Sequence, residues 1–170
     1  IVFAPYMDAL RPGRGIADVL PEAIKAAGAK GVVLNHAERP MTLNALKQTI
    51  DRANELDLIS FVCADSTAEA QAIAHLHPDI MNPERSDLIG SGIASDMSFV
   101  KEVIDTVKAV DPAICVEQAG GITTAQQVYD FIMAGSQAAG AASGILKSAD
   151  PFALLHQMVG AVRRAKDELE

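Results

Sequence analysis

The sequence predicts an α/β protein in which short parallel strands alternate with amphipathic helices. Short apolar runs alternate along the chain with longer amphipathic stretches, and turn-forming residues separate them. The short runs are apolar at odd and even positions alike, as expected of strands that are buried on both faces. Hydrophobic residues make up 49% of the chain and aromatic residues only 4%, so the core must be built from small and branched aliphatic side chains.

Six strands and six helices are predicted, in strict alternation. The strands cover residues 1–6, 30–34, 58–63, 79–82, 113–116 and 138–142. The helices cover residues 20–27, 42–56, 67–76, 97–110, 125–134 and 151–169. No linker and no change of composition interrupts the alternation, so residues 1–170 are expected to form a single domain.

Residues typical of helix termini support these boundaries. Ser66 and Glu69 have the spacing of a capping box at the start of the third helix. Thr124 can accept a hydrogen bond from the first amides of the fifth helix. Pro21 and Pro151 lie near helix starts, where the missing N–H group leaves no hydrogen bond unmade.

Charge and cysteine content exclude several classes of function. The chain has 14 Lys and Arg against 22 Asp and Glu, a net charge of −8. A nucleic acid or an anionic membrane is therefore not an expected partner. No apolar run approaches the roughly 18 to 20 residues of a membrane span. Cys63 and Cys115 are too few for a disulfide framework, so a cytoplasmic protein is expected.

Repeated strand–helix units can form an open doubly wound sheet or a closed (β/α)8 barrel. No G-x-G-x-x-G motif follows the first strand, so a dinucleotide-binding sheet is disfavoured and a barrel is preferred. A barrel needs eight units and typically about 250 residues. Six units are predicted here, and the chain begins with Ile1 instead of Met. We therefore expect an N-terminally incomplete barrel whose first two units are missing.

Two polar residues at strand ends are the candidate catalytic pair. The active sites of such barrels lie at the carboxyl ends of the strands. His36 follows the second predicted strand and Glu84 follows the fourth. An imidazole and a carboxylate that face one site supply the electrophile and the base needed to move a proton beside a carbonyl group. The other histidines are interpreted as surface or packing residues; they are His75, His77 and His156.

Three glycine-containing turns indicate a phosphate site. They are formed by residues 90–92, 120–121 and 143–144. Glycine allows backbone N–H groups to approach an anion closely, and the turns after the last strands bind phosphate in many barrels. A single turn of this kind is more often a plain tight turn, but three at one rim favour a phosphorylated ligand.

These segments resemble the triosephosphate isomerase family, in its compact branch with short loops. Residues 34–39 (Leu-Asn-His-Ala-Glu-Arg) resemble the segment around the family's catalytic histidine, and residues 83–92 resemble its catalytic glutamate with the flexible lid. Residues 61–63 resemble the strand that carries a buried cysteine, and residues 119–121 and 142–144 resemble two phosphate-binding turns. The resemblance covers the whole chain and matches the last six of eight units of a TIM barrel.

The resemblance implies a role for each residue, in an enzyme family that is itself the standard example of a neutral histidine paired with a glutamate base. His36 would polarise the substrate carbonyl, Glu84 would carry the proton, and Glu38 would help to organise the site. The phosphate-binding amides would be those of Gly90, Gly121, Ala142 and Ser143. The implied activity is interconversion of glyceraldehyde-3-phosphate and dihydroxyacetone phosphate in glycolysis and gluconeogenesis, with no metal or cofactor.

The family's electrophilic lysine follows its first strand, and no lysine of this chain lies at a corresponding position. Two alternatives therefore stay open: an isomerase of a tetrulose phosphate, and a truncated, non-catalytic barrel that binds phosphate. An aldolase barrel is disfavoured because it needs a Schiff-base lysine on the inner face of a strand, and Lys30 lies at the wrong end of its predicted strand for that role. The exposed apolar character of a short-looped barrel favours a homo-oligomer.

Overall fold

The computed structural model describes all 170 residues of the chain. The strands are β1 (Phe3–Ala4), β2 (Gly31–Leu34), β3 (Ile59–Ala64), β4 (Ile80–Pro83), β5 (Cys115–Gln118) and β6 (Ala138–Ala139). The helices are α1 (Pro21–Ala26), α2 (Leu43–Glu55), α3 (Thr67–Ala74), α4 (Met97–Val110), α5 (Ala125–Met133), α6 (Ser143–Leu146) and α7 (Pro151–Leu169). A short 3-10 turn covers Ser86–Leu88.

All six strands belong to one parallel sheet, and their order in space is their order in the chain. Strands β1 and β6 are the two edges and do not pair with each other. The predicted alternation and the parallel sheet are thus confirmed. The architecture is a six-stranded barrel-like sheet that is open between its first and last strands.

The two faces of the sheet differ in their neighbours. One face packs against the helices and contributes fully buried side chains to the core, among them Val32, Val62, Met81 and Val116. The opposite face is only partly covered, and the rings of Phe3 and Phe61 lie edge to face on it, with their centroids 6.0 Å apart. Side chains of this second face, at the carboxyl ends of the strands, line the candidate site.

The caps that the sequence predicts are present. The Thr124 hydroxyl accepts from the Gln127 backbone amide, and the Gln127 side-chain oxygen accepts from the Thr124 backbone amide, which completes a capping box at the start of α5. The Ser66 hydroxyl caps α3 by accepting from the Glu69 amide. The bounds of α4 and α7 are those predicted. The start of each helix is fixed by the aspartate before it, whose side chain accepts from backbone amides of the first turn.

Four elements differ clearly from the prediction, and the remaining boundaries agree to within two residues. Strand β1 was predicted over residues 1–6 but covers only Phe3–Ala4. Strand β5 begins two residues later than predicted, because the Asp111 carboxylate accepts from the Ala113 amide at 2.9 Å and holds that residue in a turn. Strand β6 is shorter than predicted, and the helix α6 that follows it was not predicted. With only four residues, α6 is too short to produce a helical pattern in the sequence.

No helix of the structure is long and apolar enough to cross a membrane. Both cysteines are free thiols; Cys63 is buried and Cys115 is half-buried.

Candidate active site

The candidate catalytic pair lies at the end of the sheet that is formed by the carboxyl ends of the strands. His36 lies two residues beyond β2, and Glu84 directly follows β4. Both side chains line a cavity of about 330 Å³. A second hollow of about 240 Å³ lies on the other side of the pair and shares Cys63 and Ile89 with the first. The pair is therefore open to a ligand from two connected spaces.

The four residues expected to bind phosphate line the same cavity as His36 and Glu84. They are Gly90, Gly121, Ala142 and Ser143. None of their backbone N–H groups donates to a backbone carbonyl of the protein. Unpaired N–H groups beside a cavity are the usual donors to a bound anion.

The orientation of His36 is determined by the backbone beside it. The Glu38 N–H group donates to His36 Nδ1 at 3.2 Å. When the imidazole is neutral, its proton must therefore be on Nε2, the ring nitrogen free to donate to a ligand. The preceding residue, Asn35, has a left-handed backbone (φ 56°), and its amide side chain bridges the loop to the Cys63 carbonyl at 3.0 Å.

Glu38 reaches this histidine through its backbone. Its side chain is exposed and lines neither of the two hollows. The contact that the structure provides between Glu38 and the site is therefore the hydrogen bond from its amide to the imidazole.

Glu84 is half-buried and positioned by its own strand. Its N–H group donates to the Ala64 carbonyl at 2.8 Å, which extends the pairing of β3 and β4 by one residue. The Asn82 side-chain amide donates to Glu84 Oε2 at 3.1 Å. Burial raises the pKa of Glu84 above its ordinary value, while the Asn82 hydrogen bond and the charge of His36 act in the opposite direction. A raised pKa strengthens the carboxylate as a base.

Cys63 lies beneath this pair as an unreactive thiol. Burial, reinforced by the charge of Glu84, raises the pKa of Cys63 to about 12. The thiol therefore stays protonated at neutral pH and acts as a packing group.

Close backbone packing brings the glycine turns together. A Cβ atom on Gly121 would lie 1.9 Å from the Ile93 carbonyl oxygen, and one on Gly144 would lie 1.9 Å from the Ile122 carbonyl oxygen. Gly121 also has a left-handed backbone, with φ +67°. Only glycine permits these approaches, which join the turn after β5 to the segments on either side of it.

The segment from Arg85 to Gly92 covers one side of the cavity. Arg85 and Asp87 form an ion pair of 2.7 Å within it, and the Ser86 amide donates to Asp65 at 2.6 Å. Ile89 is exposed and lines both hollows.

Sequence reasoning missed two polar residues of the cavity, Asn82, which donates to Glu84, and Glu117. The predicted strand ended at residue 116, which left Glu117 in a loop, whereas the structure has it inside β5 and lining the cavity. Burial, with the charge of Glu84 as the second cause, raises the pKa of Glu117 to about 7. Its alternation with Cys115, which faces the same side of the sheet, is the sequence feature that would have revealed it.

The lysines and the remaining histidines lie away from the candidate catalytic pair. Lys147 lines an adjoining hollow with Gly90 and Ser143, but not the cavity that holds His36 and Glu84. Of the two interpretations left open for the other three histidines, surface or packing residues, the structure supports the first, because all three are exposed; they are His75, His77 and His156. No cluster of His, Cys, Asp or Glu in the structure has the arrangement to hold a metal ion.

The fold is shared with several solved structures. Thiamine phosphate pyrophosphorylase from Pyrococcus furiosus aligns with 85% of this chain and 64% of its own, at a TM-score of 0.64 and 17% identity. The 3-hexulose-6-phosphate synthase from Salmonella typhimurium aligns with 85% of this chain and 66% of its own, at a TM-score of 0.64 and 20% identity. At such low identity these matches concern the fold alone.

The matches in sequence are more specific. The family model of triosephosphate isomerase matches residues 2–158. The triosephosphate isomerase of Sulfurisphaera tokodaii is 37% identical over 161 residues, which are 93% of this chain and 70% of that protein. That of Methanoculleus marisnigri is 34% identical over 161 residues, 93% of this chain and 72% of that protein. The chain belongs to the triosephosphate isomerase family.

Proposed function

We propose that the protein interconverts glyceraldehyde-3-phosphate and dihydroxyacetone phosphate. The observation that carries the proposal is one cavity lined by His36, Glu84 and four residues whose backbone N–H groups donate to no backbone carbonyl of the protein. A base, a neutral hydrogen-bond donor and an anion site are the groups that isomerisation of a phosphorylated sugar requires. The names of the relatives support the same substrate.

In the proposed reaction Glu84 removes a proton from the carbon next to the substrate carbonyl. The electrons of that C–H bond form a carbon–carbon double bond, and those of the carbonyl double bond move to its oxygen, which yields an enediolate. The Nε2–H group of His36 donates to the oxygen on which negative charge develops. Glu84 then returns the proton to the neighbouring carbon. The proton of the substrate hydroxyl group passes to the former carbonyl oxygen, and the former hydroxyl oxygen becomes the new carbonyl, so that no atom is gained or lost overall.

The substrate phosphate would be bound by the amides of Gly90, Gly121, Ala142 and Ser143. The segment from Arg85 to Gly92 would close over the bound sugar. Closure of this kind excludes water, which strengthens the hydrogen bonds in the site and protects the enediolate from side reactions.

Glu84→Gln tests the proposal, because the amide keeps the shape of the side chain but cannot accept the proton. We expect kcat to fall by about 10²- to 10⁴-fold in a coupled assay with either triose phosphate. Glu102→Gln is the matched control, since Glu102 is exposed on α4, away from the cavity. Equal rates in the protein and in Glu84→Gln would reject the proposal. A tetrulose phosphate assayed in parallel tests the size of the sugar.

We further propose that the six strand–helix units correspond to the last six of the eight units of a barrel. The unpaired edge strands β1 and β6 support this proposal. The intact mass of the protein made from its own gene tests it.

We also propose that copies of the protein associate. An apolar stripe on α7 supports this proposal, because Phe152, Leu155 and Val159 are 86%, 45% and 61% exposed at helical spacing. Light scattering tests it, and a monomer at micromolar concentration would contradict it.

A further inference from the structure

Glu117 lies beside the catalytic pair on a neighbouring strand. It belongs to β5, which pairs with β4, the strand that leads into Glu84. Its side chain lines the same cavity as Glu84 and His36. A Cβ atom on Gly140 would lie 2.5 Å from Glu117 Oε1, so the carboxyl group lies directly over the glycine backbone of the chain after β6.

The carboxyl group has no partner within the protein. Its Oε2 atom is buried and makes no hydrogen bond. The titratable groups around it are Glu84, Cys63 and Cys115, with His36 in the same cavity. No lysine or arginine lines that cavity. A buried carboxyl group that lacks both a cation and a donor is more stable with its proton on.

Two carboxyl groups in one desolvated cavity take different protonation states when their surroundings differ. Glu84 accepts a hydrogen bond from Asn82, which favours its ionised form. Glu117 receives no such hydrogen bond, and the charge of Glu84 disfavours its ionisation further. The arrangement thus provides a base and an acid side by side.

We propose that Glu117 is a further catalytic residue, whose protonated carboxyl group donates a hydrogen bond to the substrate oxygen that becomes negatively charged. The proposal rests on the function proposed for Glu84 and His36. The proton stays on Glu117 throughout, so the balance of the reaction is unchanged. Ionised Glu117 would place a second negative charge beside the enediolate and oppose its formation.

The pH dependence of kcat/KM in the purified protein tests this role. Glu117 must keep its proton, so we expect kcat/KM to fall as the pH rises above about 7. Glu117→Gln should remove this decline, because the neutral amide donates at every pH. Glu117→Leu cannot donate and should lower kcat at least tenfold at pH 6. A decline that persists in Glu117→Gln, or a Glu117→Leu variant as active as the parent at pH 6, would overturn the proposal.

A binding measurement decides the same point without turnover. 2-Phosphoglycolate is a phosphorylated carboxylate with the planar charge of an enediolate, and calorimetry gives its affinity at pH 6 and pH 8. We expect the ratio of the two affinities to be at least fivefold larger for the parent than for Glu117→Gln. Equal ratios would exclude Glu117 as a donor. An inactive parent, or one that Glu84→Gln leaves unaffected, would instead contradict the function proposed for the catalytic pair.

Discussion

The hydrogen bond from the Glu38 amide to His36 Nδ1 determines what a single histidine can offer a substrate. The amide can only donate, so the ring nitrogen it faces must accept. A backbone group thereby selects the protonated nitrogen, and it does so whatever side chain follows the histidine. The same bond explains how Glu38 can matter to the site although its carboxylate is exposed.

We therefore expect neutral His36 to carry its proton on Nε2. Long-range proton–nitrogen correlation spectra of the labelled protein distinguish the two tautomers directly. Glu38→Ala keeps the backbone donor and should give the same tautomer, which makes it the control. A proton on Nδ1 would contradict the hydrogen bond from the Glu38 amide to that nitrogen.

At the scale of elements, the turns after β4, β5 and β6 form one packed unit at the rim of the sheet. Gly121 and Gly144 allow this packing because their backbones lie against carbonyl groups of neighbouring segments. Gly160, on the exposed side of α7, has no atom within 4 Å of the position its Cβ would occupy. The chain thus contains glycines required by close packing and at least one that is not.

Gly144→Ala and Gly160→Ala should have opposite effects on stability. In Gly144→Ala the new Cβ meets the Ile122 carbonyl oxygen at 1.9 Å, so the turn must shift. We expect a loss of about 1–3 kcal/mol, of the size that overpacking typically causes, together with a raised KM. Gly160→Ala should gain about 0.5–1 kcal/mol from helix propensity alone. Urea unfolding measures both, and a stable Gly144→Ala variant with unchanged KM would contradict this account.

The elements with strong local patterns were predictable from the sequence, and the rest depended on tertiary contacts. Helices α4 and α7 have clear caps and periodicity, and their bounds match the prediction. Strand β5 was misplaced because a turn at Asp111 interrupts an apolar run. That shift concealed Glu117, whose burial depends on neighbouring strands and not on residues near it in sequence. The cavity lined by His36, Glu84 and the glycine turns was predictable because strand ends of a parallel sheet meet at one edge.

For the molecule as a whole, the cavity that holds the candidate catalytic pair is lined by two carboxyl groups and by no lysine or arginine. The protein carries a net charge of −8, yet it belongs to a family named for a phosphorylated substrate. Backbone amides therefore take the place of cations as the proposed phosphate ligands. The pKa of each carboxyl group is raised in the folded chain, so ionisation of either group lowers the stability of the fold.

Stability should fall between about pH 4.5 and about pH 7 because of Glu117. Its pKa is about 7 in the folded chain, against an ordinary value of 4.5, so over this range the folded protein holds a proton that the unfolded chain has released. The loss can reach about 3 kcal/mol. Glu117→Gln should lack it, so its stability relative to the parent should rise from pH 5 to pH 8. Parallel pH curves of the unfolding free energy would contradict this.

The approach of the Glu117 carboxyl group to the Gly140 backbone ties two positions that are far apart in the chain. A side chain of any size at position 140 would occupy the space that Glu117 Oε1 now fills. Positions 117 and 140 should therefore covary, because a larger residue at 140 is compatible only with a shorter one at 117. Relatives that have a carboxyl group at the position equivalent to 117 should have glycine at the position equivalent to 140.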